Sequence, residues 1–285
     1  MADEDDVVIS KRISSGRAHW PIFAALVFVA ATIIYPLYFV ILTSLRPNAD
    51  YLQSPFGLPG EWTFDNYLRL IEDYGIGQAF LNSLIVSTAS VAIILVLASV
   101  AGYALAKLPV PGTKLITATF VSVMLIPGPV LIIPIYVMLA RLDLVSTYAG
   151  VVLVYVATGL PFATFFLTLS FRGIPDEVIE AARIDGAGFI RIMWSIVRPM
   201  GSSGLATLAV LQFLGAWNEL IFAYILIPKE SMRLLTPQLA TIGERFLTDQ
   251  PLVSAGLFIT ASVPLILLAF ASKYIMQGLQ VGVSR

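Results

Sequence analysis

Six long apolar segments constrain the fold of this chain more than any other feature of its sequence. A helix that crosses the hydrocarbon core of a bilayer needs about 20 predominantly apolar residues, and each segment reaches that length. Five contain no Asp, Glu, Lys or Arg, and the fifth in chain order contains a single one, Glu219. The segments are Trp20–Leu45, Tyr74–Ala106, Leu115–Ala140, Leu144–Phe171, Pro199–Pro228 and Pro251–Ser272.

The composition agrees with a chain that is solvated mainly by lipid. Of its 285 residues, 58% are hydrophobic and 12% are charged, and the mean hydropathy is +0.88. A soluble domain cannot bury that much apolar surface. We therefore predict an all-α polytopic membrane protein with six transmembrane helices, organised as a tail over 1–19, a membrane domain over 20–275 and a second tail over 276–285. The first segment is too long for a removable signal peptide.

The same numbers exclude several kinds of partner and site. A net charge of -1 provides no basic surface for nucleic acid. The chain has no cysteine and one histidine, His19, which excludes disulfides, thiolate chemistry and a histidine-rich metal site. We therefore expect no metal site, no catalytic residues and no bound cofactor in this chain.

The distribution of basic residues predicts the orientation in the membrane. With six spans both termini lie on one side, and eleven of the 17 Lys and Arg residues then fall on that side. Basic residues are enriched in cytoplasmic loops. We therefore expect cytoplasmic N- and C-termini in a multi-pass protein of the plasma or inner membrane.

A charged stretch interrupts the apolar pattern on the predicted cytoplasmic side, within the loop 172–199. From Ile174 to Pro199 it reads IPDEVIEAARIDGAGFIRIMWSIVRP and carries seven charges. Pro175 suits the first turn of a helix, and Gly186 suits a left-handed stop. We predict a short helix, a glycine elbow and a second helix over Phe189–Val197, after which Pro199 opens the fifth span.

The residues alone leave two roles open for the first of these helices. Ala181 and Ala182 have small side chains, so another protein could approach the backbone closely, with Val178 and Ile179 providing the apolar contact. The alternative is an amphipathic helix resting on lipid headgroups. Four acidic residues argue against an anionic membrane surface.

Glu180-Ala181-Ala182, Asp185-Gly186-Ala187 and Pro199 resemble the cytoplasmic signature loop of the permease subunits of bacterial ABC importers. Further segments resemble the carbohydrate-uptake branch of that family, of the maltose-permease type. They are TSLRP (43–47), NSLIVS (82–87), GYALAKLPVPG (102–112), LPFATFFLTLSFRGIPDEVIEAARIDGAG (160–188) and AWNEL (216–220). The tail 277–285 also resembles the family's tail, although its ending differs.

The resemblance implies an ATP-driven importer in which this chain is one permease. The implied partners are a second homologous permease, two ATPase subunits that bind ATP and Mg, and an external solute-binding protein that delivers a carbohydrate. The signature loop would be the coupling helix that docks on an ATPase, through Glu180, Ala181, Ala182, Asp185, Gly186 and Pro199. We expect Glu180 to pair with a basic group there and Gly186 to set the elbow, although a plain helix cap explains Gly186 equally well.

The chain itself is not expected to be an enzyme. It contains no G-x-x-x-x-G-K-[ST] phosphate loop, so ATP hydrolysis would belong to a separate subunit. A permease for a non-sugar solute, such as a polyol or a glycerol phosphate, remains an alternative. A secondary transporter or channel acting alone would be expected to carry carboxylates in several spans, and only Glu219 is present.

Transporter sites lie near mid-membrane beside interrupted helices, which gives five candidate residues for the substrate path. Pro127 and Gly159 lie near the centres of the third and fourth segments, and Gln212, Asn218 and Glu219 follow one another along the fifth. The alternative is structural: the glycines of the fifth segment would pack a neighbouring helix, and Glu219 would be a paired interface group.

Overall fold

Helices form the regular structure of the chain, as the apolar segments predicted. The structure, a computed structural model, describes residues 19–245 and 249–280, and that part of the chain contains no β-strand. The helices are α1 (His19–Ser44), α2 (Asn48–Gln53), α3 (Asp65–Glu72), α4 (Ile76–Lys107), α5 (Thr113–Met124), α6 (Ile132–Arg141), α7 (Tyr148–Arg172), α8 (Asp176–Ile184), α9 (Phe189–Ile192), α10 (Arg198–Met200), α11 (Ser202–Asn218), α12 (Ile221–Leu226), α13 (Leu235–Arg245) and α14 (Gln250–Gln280).

Four helices are long and apolar enough to cross a membrane without interruption, namely α1, α4, α7 and α14. Two further spans are bent pairs. A bend of 92° separates α5 from the segment containing α6, and a bend of 80° separates Phe189–Met200 from α11. Counting each bent pair as one span gives the six that the sequence predicted.

The break in the third span lies at the predicted position. Pro127 has extended backbone with ψ of 128°, and a 3₁₀ turn over Gly128–Leu131 leads into α6. Two prolines within three residues remove two backbone donors, so a continuous helix cannot pass through them. The corresponding interruption of the fourth span does not occur, since α7 runs unbroken through Gly159 and Pro161. A single proline removes only one donor, and Pro161 is buried among neighbouring helices.

The prediction of one span over Pro199–Pro228 was wrong at both ends. Pro199 lies within α10, at the end of a helix that includes a π-helical segment over Met193–Val197, and the bend follows at Gly201. A Cβ at Gly201 would lie 2.5 Å from Cε1 of Phe171, so only glycine permits this close approach to α7. At the other end α11 stops at Asn218, and α12 is a separate short helix.

The centre of the fold is the pair α4 and α7, against which α11 packs. Small residues permit the close contact: a Cβ at Gly102 of α4 would lie 3.0 Å from Cβ of Leu167 in α7. Small polar side chains of α4 are also buried, including Ser83, Ser87 and Ser90, which is typical of helix contacts within membranes. α1 packs on α14 and leaves its apolar surface exposed, where lipid or another subunit would cover it.

The segment between α1 and α4 is folded around one buried arginine. Arg46 of the TSLRP motif is 1% exposed and donates hydrogen bonds to the carbonyls of Ser54, Pro55 and Gly57. Its guanidinium lies 4.8 Å from the ring centroid of Tyr51. The motif therefore holds the α2 turn against the end of α1.

Candidate functional site

The charged loop between α7 and α11 contains the predicted short helix and elbow. α8 ends in a Schellman motif, in which the N–H of Gly186 donates to the carbonyl of Arg183 at 3.0 Å and the N–H of Ala187 donates to that of Ala182 at 2.9 Å. Gly186 has φ of 76°, so its predicted left-handed conformation is confirmed. The elbow is thus built from backbone geometry that favours glycine.

A lysine at the end of α4 holds the start of this loop. The Nζ of Lys107 forms a salt bridge of 2.7 Å with Asp176 and donates to the carbonyls of Ile174 and Arg172. Its side chain is 5% exposed, whereas that of Asp176 is 72% exposed. Since an ammonium group has three donors, Lys107 uses all of them to connect α4 to the end of α7 and the beginning of α8.

The inner face of the loop is part of the hydrophobic core. Ile174, Ile179 and Ile192 are buried in one cluster with Tyr103 of α4 and Phe171 of α7. The proposed role of Ile179 in contacting a partner is therefore wrong, because this side chain is 2% exposed within its own chain. α8 consequently belongs to the same packed unit as the ends of α4 and α7.

The opposite face of α8 is exposed and has a mixed character. Glu177, Glu180, Ala181 and Ile184 follow the spacing of one helix face, and all four are exposed. Ile184 is 86% exposed, which is unusual for an isoleucine beside charged residues. This face presents a small apolar patch bordered by two carboxylates.

The other predicted loop residues differ in their surroundings. Asp185 and Pro199 are exposed, whereas Ala182 is half-buried and packs against the cluster around Tyr103 and Phe171. The small side chain of Ala182 therefore serves the chain's own packing, and Ala181 is the alanine available at the surface.

Glu219 lies at the break between α11 and α12. Its Oε1 accepts the N–H of Phe222 at 2.9 Å, and its Oε2 accepts the N–H of Ala223 at 3.0 Å and the hydroxyl of Tyr155 at 3.1 Å. The carboxylate therefore satisfies backbone donors at the start of α12 and connects them to α7. A negative group is favourable at a helix N-terminus.

Gln212 and Gly159 also meet at the contact of α7 with α11. The Nε2 of Gln212 donates to the carbonyl of Gly159 at 3.1 Å. A Cβ at Gly159 would lie 2.7 Å from Oε1 of Gln212 and 2.8 Å from Cδ1 of Ile94. Gly159 thus lies at a close contact, where an added Cβ would displace the ends of the Gln212 and Ile94 side chains, and not at a helix break.

The remaining two path candidates lie elsewhere. Asn218 is exposed at the end of α11 and donates to the carbonyl of Leu214 at 2.9 Å. Pro127 is exposed at the bend before α6. The structure therefore brings Gln212, Gly159 and Glu219 together along one helix contact.

Comparison with known proteins decides the family. Residues 95–285 match the model of the binding-protein-dependent transport system inner membrane component. The chain belongs to this family. It is accordingly a multi-pass membrane component of a binding-protein-dependent transport system, and such permease subunits are not enzymes.

Curated relatives extend the permease match over most of the chain. The diacetylchitobiose uptake system permease protein NgcG of Streptomyces coelicolor is 34% identical over 79% of this chain and 75% of its own length. The arabinooligosaccharides transport system permease protein AraQ of Halalkalibacterium halodurans is 30% identical over 95% of this chain and 98% of its own length.

A solved structure confirms the permease fold. It is a bacterial ABC transporter involved in the import of the acidic polysaccharide alginate, and it superposes with a TM-score of 0.78 at 21% identity. The match covers 92% of this chain and 97% of the other.

Three further residues connect the helices around the α8 loop and around Glu219, and none of them is among the candidates predicted from the sequence. Lys107 lies in the quoted motif GYALAKLPVPG, as a lone cation at the end of an apolar run, and that position was the available signal. Tyr155 lies one helical turn before Gly159, on the face that meets α11. Trp217, the buried neighbour of Glu219, donates its Nε1–H to the carbonyl of Thr260 at 3.0 Å and thereby connects α11 to α14.

Proposed function

We propose that this chain is the permease subunit of an ATP-driven importer and that it translocates a carbohydrate delivered by an external solute-binding protein. The two relatives described above carry the names of permeases for diacetylchitobiose and for arabinooligosaccharides, which supports an oligosaccharide as substrate. A non-sugar solute such as a polyol or a glycerol phosphate is the alternative.

The observation that carries the ATP-driven part of the proposal is the loop around α8. It exposes Glu177, Glu180 and Ala181 on one face, and its other face is packed into the cluster shared with α4 and α7. A force applied to the exposed face would be transmitted to two membrane helices, because packed cores move as units rather than deforming continuously.

The proposed partners follow from the family and from what this chain lacks. Two ATPase subunits would bind ATP and Mg, since no phosphate loop occurs in this sequence. A second homologous permease would complete the membrane part and would cover apolar surface left exposed in this chain. We place both termini and α8 in the cytoplasm, and the segment between α1 and α4 outside.

In the proposed cycle, ATP binding brings the ATPases together and displaces α8 through its exposed face. Lys107 and the buried isoleucines of the loop carry this movement into α4 and α7, and the spans open toward the solute-binding protein. Along the path, Asn218 faces the solute. Gln212, Gly159 and Glu219 stabilise the contact of α7 with α11 that forms one side of the path. Pro127 shapes the path at the bend of the third span.

The test compares two glycines of the same loop. Gly186 has φ of 76° and Gly188 has φ of -76°, and a Cβ at either would meet no atom within 4 Å. A side chain in the left-handed conformation costs about 1–2 kcal/mol, so Gly186→Val should distort the elbow and Gly188→Val should not. We expect Gly186→Val to lower uptake several-fold at normal membrane levels, with Gly188→Val close to wild type.

Association with the ATPase is measured in the same cells by pull-down. Glu180→Lys should weaken it, whereas Glu61→Gln, an exposed carboxylate of the segment between α1 and α4, should leave it unchanged. If Gly186→Val and Glu180→Lys both show wild-type association and uptake, α8 is only a surface helix. Uptake of labelled oligosaccharides, compared with labelled glycerol 3-phosphate, decides between the two substrate classes.

A further inference from the structure

An open groove lies on the surface of the membrane domain where α5 meets the end of α7. Its volume is about 490 Å³, and it is lined by Arg172 of α7 and by six residues of α5 between Thr113 and Ser122. Their spacing places those six residues on one face of the helix. The groove begins beside the α8 loop, because the carbonyl of Arg172 accepts a hydrogen bond from Nζ of Lys107.

Two positive charges mark the end of the groove beside the loop. Lys114 lies in the first turn of α5, Arg172 is the last residue of α7, and both are exposed. In the part of the chain that the structure describes, neither side chain forms a salt bridge or a hydrogen bond. Asp176, the acid nearest in sequence to Arg172, is paired with Lys107. No carboxylate lines the groove, so its two charges are not neutralised by this chain's described residues.

The groove becomes apolar as it follows α5 into the third membrane span. Ala118 and Val121 line this part, and the hydroxyl of Ser122 donates to the carbonyl of Ala118 at 2.8 Å. At a helical rise of 1.5 Å per residue, Val121 lies about 10 Å from Lys114 along the helix. Since α5 begins the third span, this direction leads from the membrane surface toward the bilayer centre. The groove therefore has a cationic end at the surface and an apolar end within the membrane.

This arrangement of charge and apolar surface matches an anionic phospholipid. Ammonium and guanidinium groups form charge-assisted hydrogen bonds with phosphate oxygens, and basic pockets between membrane helices on the cytoplasmic side bind anionic headgroups. An apolar helix of another subunit would fill the inner part of the groove but would leave two charges buried without a partner, which is costly. An acidic peptide would pair with the charges and leave the apolar part unfilled. A phospholipid supplies both parts in one molecule.

We infer that this groove binds an anionic phospholipid of the cytoplasmic leaflet, with the headgroup phosphate between Lys114 and Arg172 and an acyl chain along Ala118 and Val121. None of the 12 residues of α5 is buried, so the contact of α5 with α7 leaves space that a lipid would fill. The bound lipid would bridge these two helices beside the α8 loop. Only the choice of leaflet rests on the proposed function, in which α8 is cytoplasmic.

The test measures lipid binding to the purified full chain by native mass spectrometry. The probes are phosphatidylglycerol, which is anionic, and phosphatidylcholine with the same acyl chains, which carries no net charge. We expect phosphatidylglycerol to bind more tightly by about tenfold or more, because each basic residue near an anionic headgroup contributes about fivefold in affinity. Lys114→Gln combined with Arg172→Gln should remove this preference and leave the binding of phosphatidylcholine unchanged.

Arg191→Gln combined with Lys229→Gln is the matched control, because it removes the same charge at two exposed residues that do not line the groove. The affinity for phosphatidylglycerol should then change by less than about twofold, since isolated surface charges contribute little. Ala118→Phe keeps both cations and fills the apolar part of the groove, so it should also weaken phosphatidylglycerol binding. Inorganic phosphate should not displace the lipid, because it has no acyl chain.

Three outcomes would overturn the inference without affecting the proposed function. They are equal binding by the groove and control variants, displacement of the lipid by inorganic phosphate, and loss of the lipid when the chain is assembled with a second permease, which would make the groove a subunit contact. The leaflet is tested separately. The chain has no cysteine, so Lys114→Cys introduces a single thiol, which a membrane-impermeant maleimide should label in inside-out vesicles and not in intact cells. Labelling in intact cells would overturn the proposed orientation, and the choice of leaflet with it.

Discussion

Replacing Glu219 by glutamine should separate a structural carboxylate from a substrate-binding one. In the structure three donors share its two oxygens: the N–H groups of Phe222 and Ala223 and the hydroxyl of Tyr155. A glutamine keeps one oxygen and replaces the other by an NH₂ group, which cannot accept. At least one backbone donor at the start of α12 therefore loses its partner.

The magnitude follows from these bonds. A hydrogen bond to a charged group contributes about 1.5–3 kcal/mol, and a buried donor left unpaired costs about 1–3 kcal/mol. We expect Glu219→Gln to destabilise the permease by about 2 kcal/mol on this basis. Tyr155→Phe removes a single donor and should destabilise the permease less than Glu219→Gln does. The destabilisation of the double variant should be smaller than the sum of the two single destabilisations, because both changes remove the same contact.

Three measurements on the assembled complex read out the result: its yield from membranes, its thermal unfolding midpoint and uptake per assembled complex. We expect lower yield and a lower midpoint, with uptake per complex close to wild type. Normal yield and midpoint with lost uptake would refute the capping argument and assign Glu219 to the substrate path. Wild-type values in all three measurements would exclude both the structural role and the substrate-path role of Glu219. Glu61→Gln, at an exposed site, controls for the loss of a charge.

Further predictions concern the chain alone, the anchor of the loop and the contact of α7 with α11. The purified chain should hydrolyse no ATP, and turnover above background would contradict its assignment as a permease. Lys107→Met removes three hydrogen bonds at the start of the α8 loop and should lower uptake several-fold at normal membrane levels, whereas Lys114→Met, at an exposed lysine, should not. Gly159→Ala places a Cβ 2.7 Å from Oε1 of Gln212 and should lower the thermal unfolding midpoint of the complex. Gly215→Ala, where a Cβ meets no atom within 4 Å, should leave the midpoint unchanged.

Features that depend on neighbouring residues in the chain were predictable from the sequence. Membrane spans follow from the length of apolar runs, and the elbow at Gly186 follows from a charged helix that ends in glycine. The bend at Pro127 follows from two prolines within three residues. In each case the physical cause lies within a few turns of one helix, so no knowledge of the tertiary contacts is required.

Features that depend on contacts between distant segments were not predictable in the same way. The need for glycine at the bend, Gly201, depends on the ring of Phe171 in another helix, and the burial of Ile179 results from packing against α4 and α7. On an isolated α8 the side chains of Val178 and Ile179 look equivalent, yet Val178 is 38% exposed and Ile179 is 2% exposed. The orientation of the helix on the core decides which of the two is available to a partner.

A lone polar residue of an apolar chain is a candidate for function only after its hydrogen bonds to the chain's own backbone have been considered. Glu219 accepts the N–H groups that begin α12, Arg46 donates to three carbonyls of the α2 turn, and Gln212 donates to the carbonyl of Gly159. Glu219 and Gln212 lie at an interruption and at a close contact of membrane helices, where backbone groups must find a partner within the protein. Arg46 does the same for a turn that follows the end of α1. Asn218 also donates to a backbone carbonyl, that of Leu214, but it differs from these residues because it is exposed at the end of α11. An exposed amide can exchange such a bond for contacts with a solute, and this is why the proposed substrate path includes Asn218.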